Sequence, residues 1–218
     1  MKRFILLLVA IFIAKLATAQ QIETSIRINY NSANWYGDVW KHVTELTQQS
    51  GEIASLKNRN GISGGVYVGL PLDDLLYLES GLVYDQKGVG VRVRPFESIF
   101  SPQLKSTVQL NYLSIPLNLH VKVADGLYLT GGGAVSKLIN SKLAVRGSWL
   151  GIGAGDSFPI RRAFNEWDFS LQGGLLYQFE NGFHLKAEYK HGLTRINGGI
   201  INANVFNRGI SVGAGFRF

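Results

Sequence analysis

The last ten residues of the chain read Gly209-Ile-Ser-Val-Gly-Ala-Gly-Phe-Arg-Phe218. Apolar side chains at the even positions alternate with glycine, serine and arginine at the odd ones, which is the period-two pattern of a strand with one apolar face. An amphipathic strand that ends on aromatic residues is typical of the last strand of outer-membrane barrels. Phe216 and Phe218 are therefore predicted to form the signal that directs membrane insertion. The stretch indicates an all-β chain that spans a membrane with strands.

The other end of the sequence has the pattern of a secretory signal peptide. Lys2 and Arg3 precede an apolar run over residues 4–14, and Ala17-Thr-Ala19 offers a small-x-small cleavage site. The run is too short and wrongly flanked for a membrane-spanning helix. We expect a signal peptide at residues 1–19 and a single barrel domain at residues 20–218.

The composition agrees with an exported β-protein. The chain has 26 glycines, 12 phenylalanines and nine tyrosines but one methionine, which favours strands joined by tight turns. It has no cysteine, so a disulfide framework and thiol chemistry are excluded. The formal charge of +7 includes three basic residues of the signal peptide, and 19 basic against 15 acidic residues leave +4.

Eight segments alternate as strands do. In the clearest of them, Phe183, Leu185 and Ala187 oppose charged neighbours on the other face. In another segment Pro116 removes a backbone donor, which predicts a bulge or weak pairing there. The predicted strands are Ser25–Tyr30, Gly61–Leu70, Leu75–Lys87, Tyr112–Val123, Leu127–Leu138, Trp167–Phe179, Phe183–His191 and Asn207–Phe218.

The connections between these strands alternate in length. Residues 71–74, 124–126 and 180–182 are short, and the Asp-Gly and Asn-Gly pairs in two of them suit hairpin turns. The other connections are long: residues 31–60, 88–111, 139–166 and 192–206. This alternation predicts an eight-stranded antiparallel up-and-down transmembrane barrel with short periplasmic turns and long external loops.

The long loops are rich in basic residues and tryptophan, whereas the short turns contain acidic residues and no basic one. Such a rim suits phosphorylated lipid headgroups, among them lipopolysaccharide, and an aromatic interface belt. Tryptophan and arginine also dominate protein interfaces, so an envelope or extracellular protein is a second kind of partner. The candidate loop contacts are Trp35, Trp40, Trp149, Arg161 and Arg162.

Several segments carry a family resemblance in the right order along the chain. They are Gly65-Val-Tyr-Val-Gly-Leu-Pro-Leu72, Leu78-Glu-Ser-Gly-Leu-Val-Tyr-Asp-Gln-Lys-Gly88, Tyr112-Leu-Ser-Ile-Pro-Leu-Asn-Leu119, Gly126-Leu-Tyr-Leu-Thr-Gly131, Ala187-Glu-Tyr-Lys-His-Gly-Leu193 and the terminal strand. Together they resemble the PorT-like outer-membrane β-barrel family, common in Bacteroidota, with Tyr-Leu-x-Ile-Pro as the most specific element. The resemblance implies an eight-stranded barrel in the outer membrane, and the terminal aromatic strand predicts that the barrel-assembly machinery inserts it. It implies little about activity, although the family's namesake serves protein secretion.

If the apolar faces contact lipid, the polar faces must line the lumen. Eight strands leave room only for side chains, so charges inside must pair with one another. We therefore expect a polar plug and not an open pore. The predicted lumen cluster comprises Glu79, His120, Lys122, Asp168, His184, Lys186 and Glu188.

No motif indicates catalysis, and no catalytic, cofactor-binding or metal-binding residue is predicted. His191 has Glu188 and Ser170 on neighbouring strands but no nucleophile motif. The glycine-rich stretches lack the spacing of phosphate or dinucleotide loops. The basic residues are dispersed and form no stripe for nucleic acid.

The sequence thus favours a non-enzymatic structural or interaction role through the external loops, in protein secretion or envelope organisation. A lipid-modifying or proteolytic barrel enzyme is the alternative. Alternation alone does not distinguish inside from outside, so a soluble lipocalin-like barrel with an apolar interior stays open. So does a secreted β-sandwich adhesin.

Overall fold

The computed structural model describes residues 22–38, 53–94, 103–149, 152–198 and 203–218. The predicted signal peptide and Trp40 lie outside these ranges. Within them, no helix is long and apolar enough to cross a membrane. The described strands are β1 (Glu23–Gly37), β2 (Ile53–Pro71), β3 (Leu76–Arg94), β4 (Gln103–Ala124), β5 (Leu127–Trp149), β6 (Ile152–Pro159), β7 (Trp167–Gln178), β8 (Phe183–Gly192) and β9 (Val205–Arg217), with a 3-10 turn at Arg161–Ala163 before β7.

Eight of these strands form a closed antiparallel ring. Sequence neighbours pair from β1 to β5, then β5 pairs with β7, β7 with β8 and β8 with β9. The first and last strands close the ring, in register from Ser25 opposite Arg217 to Gly37 opposite Val205. The eight-stranded up-and-down barrel predicted from the sequence is confirmed. β6 lies outside the ring and pairs with β5.

Local chemistry explains the tight turns at one end of the ring. Oδ1 of Asp73 accepts hydrogen bonds from the backbone N–H groups of Leu75 and Leu76 at 2.8 and 2.7 Å, which fixes the turn between β2 and β3. The turns before β5 and β8 place Gly126 and Gly182 at φ of 72° and 87°. Glycine adopts that conformation without a steric penalty. The three predicted short turns are therefore confirmed.

The strands turn their apolar faces outward. In β1, Ile26, Ile28 and Tyr30 are exposed, while Arg27 and Asn29 between them are buried. Ile28 is 72% exposed and Arg27 only 2%, which is the reverse of a water-soluble barrel. The apolar interior expected of a lipocalin-like barrel is therefore contradicted, and the polar faces fill the lumen.

Aromatic side chains mark both edges of this apolar surface. Near the short turns the edge of Phe216 contacts Phe218, and near the other end Tyr36 stacks on Phe206. Phe216 lies ten residues after Phe206 in β9, or about 33 Å along the strand. At a usual tilt of about 40° this gives a height of about 25 Å, that of an outer-membrane apolar band.

Pro116 weakens the sheet as predicted. β3 and β4 pair up to Ser80 opposite Leu117 and resume at Val83 opposite Ser114, with no shift in register. Proline has no N–H to donate, so two residues on each strand lose their pairing. The Ser80 hydroxyl donates to the Pro116 carbonyl at 2.8 Å and partly compensates.

The predicted long loops are largely strand, which corrects the expected loop boundaries. β1–β2 pairing ends at Ala33 opposite Arg59, and β5–β7 pairing ends at Lys137 opposite Trp167, yet β2 to β5 continue beyond these points and β6 joins them. We call this sheet the outer extension: residues 53–58, 89–94, 103–110 and 139–149, with β6. Register shifts after Asn58 and Asn111 break the alternation, which hid these strands in the sequence.

An apolar cluster closes the outer mouth of the barrel. We call it the outer cap, and it consists of Trp35, Leu56, Val89, Leu110, Tyr112, Leu138, Ile196, Ala203 and Val205. Trp35 was predicted to be a loop contact, but it lies in β1 at an inward position and is 9% exposed. The prediction was wrong because β1 extends further than its apolar alternation indicated. The Trp35 indole packs against Phe164, with 5.8 Å between the ring centres.

The facing of the strands predicts how β1 responds to a new charge. Ile28→Lys should lower the free energy of unfolding by about 2–4 kcal/mol, because it places an ammonium near the bilayer midplane. Thr24→Lys, on the same face at the periplasmic end, should cost about 0–1 kcal/mol. Denaturant titration of the protein in lipid vesicles measures both. Equal effects at the two positions would contradict the outward facing of Ile28.

Candidate functional site

The lumen is organised around Arg27, which was not predicted as part of the lumen cluster although it lies within the predicted strand Ser25–Tyr30. Its guanidinium donates to both oxygens of Glu79, at 3.2 and 2.7 Å, across β1 and β3. It also lies 4.2 Å from the centre of the Tyr67 ring. Such a bidentate pair holds both side chains in one geometry. The alternation of Arg27 with Ile26 and Ile28 was the signal that could have revealed it.

Both predicted lumen histidines adjoin this pair. Nε of Arg27 donates to Nε2 of His184 at 3.1 Å, so that nitrogen acts as an acceptor. Nε2 of His120 lies 3.5 Å from Oε1 of Glu79, longer than a normal hydrogen bond. Both rings are buried, and His184 lies near the short-turn end of the barrel, where it lines a pocket with residues of the turn between β2 and β3.

The middle of the lumen contains a chain of alternating charges. Nζ of Lys186 lies 2.7 Å from Glu188, and Nζ of Lys190 lies 3.5 Å from the other oxygen of that carboxylate. Lys190 also contacts Asp85 at 3.2 Å, and Asn31 donates to Asp85 at 2.8 Å. Each buried charge therefore has a partner of opposite sign, which offsets part of its desolvation cost.

A third group of charges lies beneath the outer cap. Lys87 contacts Asp168 at 3.0 Å, and Nδ2 of Asn207 donates to the same carboxylate oxygen at 2.9 Å. The Lys87 ammonium also lies 4.9 Å from the centre of the Tyr112 ring. This group joins the polar network below to the apolar cluster above.

The described lumen contacts pair four cations with four carboxylates. The cations are Arg27, Lys87, Lys186 and Lys190, and the carboxylates are Glu79, Asp85, Asp168 and Glu188. The structure therefore brings together six of the seven side chains predicted for the cluster. The exception is Lys122, which lies at the end of β4, where it is 34% exposed and pairs with Asp125 of the periplasmic turn at 3.1 Å.

The structure separates the residues considered for catalysis. Ser170 is buried at an inward position, and Glu188 belongs to the lumen network. His191 lies on the outer face of β8, where its Nε2 is 2.9 Å from the hydroxyl of Tyr36 and the two rings stack. A nucleophile, base and orienting acid must lie within hydrogen-bond reach of one another. These three do not.

The candidate contacts at the outer end have different environments. Arg161 and Arg162 are exposed on the 3-10 turn, and Arg161 lies 3.6 Å from Glu166. Trp149 ends β5, and its side chain lies outside the described residues, as does Trp40. Phe216 and Phe218, predicted as the insertion signal, are exposed.

A family of outer-membrane barrels has a sequence model that matches most of this chain. The family described as "Outer membrane protein beta-barrel domain" matches residues 18–198. The sequence matches none of the curated proteins. The attachment invasion locus protein Ail of Yersinia pestis is 16% identical, with 91% of this chain and 100% of that chain covered and a TM-score of 0.48. Neisserial surface protein A is 12% identical, with coverage of 89% and 97% and a TM-score of 0.46. OprG from Pseudomonas aeruginosa is 12% identical, with coverage of 90% and 95% and a TM-score of 0.41.

The lumen network predicts a non-additive pair of substitutions. Arg27→Met should cost about 3–5 kcal/mol, since it leaves Glu79 buried without its main partner. Adding Glu79→Leu should recover most of that loss, because Lys186 keeps Glu188 and the lumen is again balanced. Unfolding of the wild type, both single variants and the double variant in vesicles gives the coupling energy. Additive losses would show that the two side chains are not paired.

Proposed function

This chain belongs to the outer membrane protein β-barrel domain family and is located in the outer membrane, and we propose that it is a non-enzymatic interaction protein. In this proposal the barrel anchors the protein, and the outer extension with the segments across the mouth carries recognition. The separation of Ser170, Glu188 and His191 supports the non-enzymatic part. The Tyr-Leu-Ser-Ile-Pro116 segment supports a PorT-like affiliation, and with it a role in secretion or envelope organisation.

The observation that carries the proposal is the outer extension. Four strands continue beyond the ring and β6 joins them, with β4 and β5 in register to Gln103 opposite Ser148. Leu56, Val89 and Leu110 on its inner face belong to the outer cap, so the sheet is fixed to the barrel mouth. A rigid surface loses little conformational entropy on binding. The lumen, by contrast, contains buried ion pairs, and the pocket at its short-turn end is only about 100 Å³, too small for a protein partner.

The mouth segments add a second surface. Arg161 and Arg162 are exposed beside Phe164, whose backbone forms a bridge with Asn197. Arginine side chains on ordered backbone are common anchors at protein interfaces. We propose that this surface contacts an envelope or extracellular protein, with Trp40 and Trp149 as further candidates.

Assembly needs a separate partner. We propose that Phe216 and Phe218 are recognised by the barrel-assembly machinery. Both rings are exposed at the periplasmic edge, and β9 pairs with β1 in the finished ring. If the machinery recognises these two side chains before the ring closes, the backbone N–H and C=O groups of β9 stay free to pair with β1.

A truncation that spares the ring tests the role of the outer extension. Replacing residues 91–106 and 145–156 each with Asn-Gly would join Gly90 to Thr107 and Ala144 to Ser157, which are paired in the structure. Two-residue Asn-Gly hairpins suit these junctions. We expect a closed barrel that still migrates faster unheated than boiled, but that fails to complement a deletion strain in secretion and envelope-integrity assays.

The control inserts the same Asn-Gly pair without deletion after residues 98 and 150, which lie between β3 and β4 and between β5 and β6 in the sequence. That control should complement. Full complementation by the truncated protein would instead place the activity in the barrel wall or the periplasmic turns, and the proposal would be wrong.

A further inference from the structure

Three cations lie side by side across the outer extension. Arg92 of β3 is directly opposite Lys105 of β4, and Lys105 is directly opposite Arg146 of β5. Paired residues share one face of a sheet, about 5 Å apart. Like charges placed opposite each other destabilise a sheet. A bound anion would relieve the repulsion among these three cations.

Two more cations share this face. Lys57 pairs with Gly90, two residues from Arg92, and Lys142 pairs with Gln109, four residues from Lys105. Since residues two or four apart in a strand point the same way, all five side chains belong to one surface. We call it the basic face: Lys57, Arg92, Lys105, Lys142 and Arg146.

Within the described part of the chain, no carboxylate neutralises the basic face. None of its five cations has an ion pair there, and the Nε of Arg92 is buried without a hydrogen-bond partner. Asp156 of β6 pairs with Val145 and thus points to the opposite, apolar side. Gly155 lets the Arg146 stem cross β6, because a Cβ there would lie 2.5 Å from Cγ of Arg146.

The surface is concave and continues the lipid-facing wall of the barrel. Two adjoining depressions, of about 450 and 420 Å³, are both lined by Lys105 and Arg146, and Arg92 also lines the larger one. Ile139 and Leu113 are exposed on the same outer wall below them. Lys142 lies three residues beyond Ile139 and Lys105 eight beyond Leu113, or about 10 to 26 Å along the strands.

We propose that the basic face binds the phosphate groups of the outer-leaflet glycolipid of the membrane in which the barrel is embedded. The outward direction of the face and its continuity with the apolar wall favour a membrane lipid over a soluble polyanion. Arginine binds phosphate oxygens in a bidentate manner, and lysine adds attraction at close range. The inference rests on the proposed function, which assigns recognition to the outer extension, and it names the partner bound by the outward side of that sheet.

The test uses the full-length mature barrel in phosphatidylcholine nanodiscs that contain bisphosphorylated lipid A or its dephosphorylated form. The neutral variant is Arg92→Gln with Lys105→Gln and Arg146→Gln. The matched control keeps the charges: Arg92→Lys with Lys105→Arg and Arg146→Lys. Mass spectrometry of the protein after mild detergent extraction gives the lipid A retained per barrel, and faster migration of unheated protein confirms folding.

We expect the wild type and the charge-keeping control to retain bisphosphorylated lipid A and to ignore the dephosphorylated form. The neutral variant should need at least about a tenfold higher mole fraction for half-saturation, since three favourable charges are lost. It should fold at least as well, because the repulsion within the row is removed. Equal retention by the neutral variant would overturn the proposal.

A soluble competitor separates the two sources of phosphate. The phosphorylated oligosaccharide released from the same lipid should bind far more weakly than the intact lipid. Equal affinity would assign the face to a free polyanion and overturn the membrane assignment. None of these outcomes depends on complementation, so loss of lipid A binding and failure of the proposed function are distinguishable.

Discussion

The bilayer tolerates no unpaired backbone edge, and the pairing of β1 with β9 removes that edge. Once the ring is closed, strand alternation sends one face to lipid and the other into a lumen too narrow for bulk water. Charges on the inner face cannot be hydrated there and must be neutralised by neighbours. The bidentate pair of Arg27 and Glu79 and the balanced charges above it follow from this single constraint.

A filled lumen moves function to the surface. The short turns expose few groups to the periplasm, and the apolar band is committed to lipid. The outer extension differs, because its inner side packs on the outer cap while its outer side carries Arg92, Lys105 and Arg146. The apolar side of the outer extension therefore fixes this sheet to the barrel, and its basic side can bind a partner.

The sequence revealed the barrel because lipid imposes a strict period of two, and Phe183–Gly192 shows it almost without error. The outer extension was not predicted because it lies beyond the lipid and lacks this regular pattern. Beyond the membrane the outer face is polar, and shifts in register near Asn58 and Asn111 move the pattern by one residue. Six predicted lumen residues lie at inward positions, as the parity of their strands indicated. Trp35 was missed because the first strand was drawn too short, whereas Arg27 lay within the predicted strand and was not assigned to the lumen.

The sequence could not predict which cation contacts which carboxylate in the lumen. Those contacts depend on the shear of the ring and not on residue spacing along one strand.

The central claim is that these ion pairs close the barrel to the passage of ions. Conductance of the purified protein in planar lipid bilayers tests it most directly. We predict no current above that of the protein-free bilayer. Stable, stepwise channel openings by the wild-type protein would contradict the account.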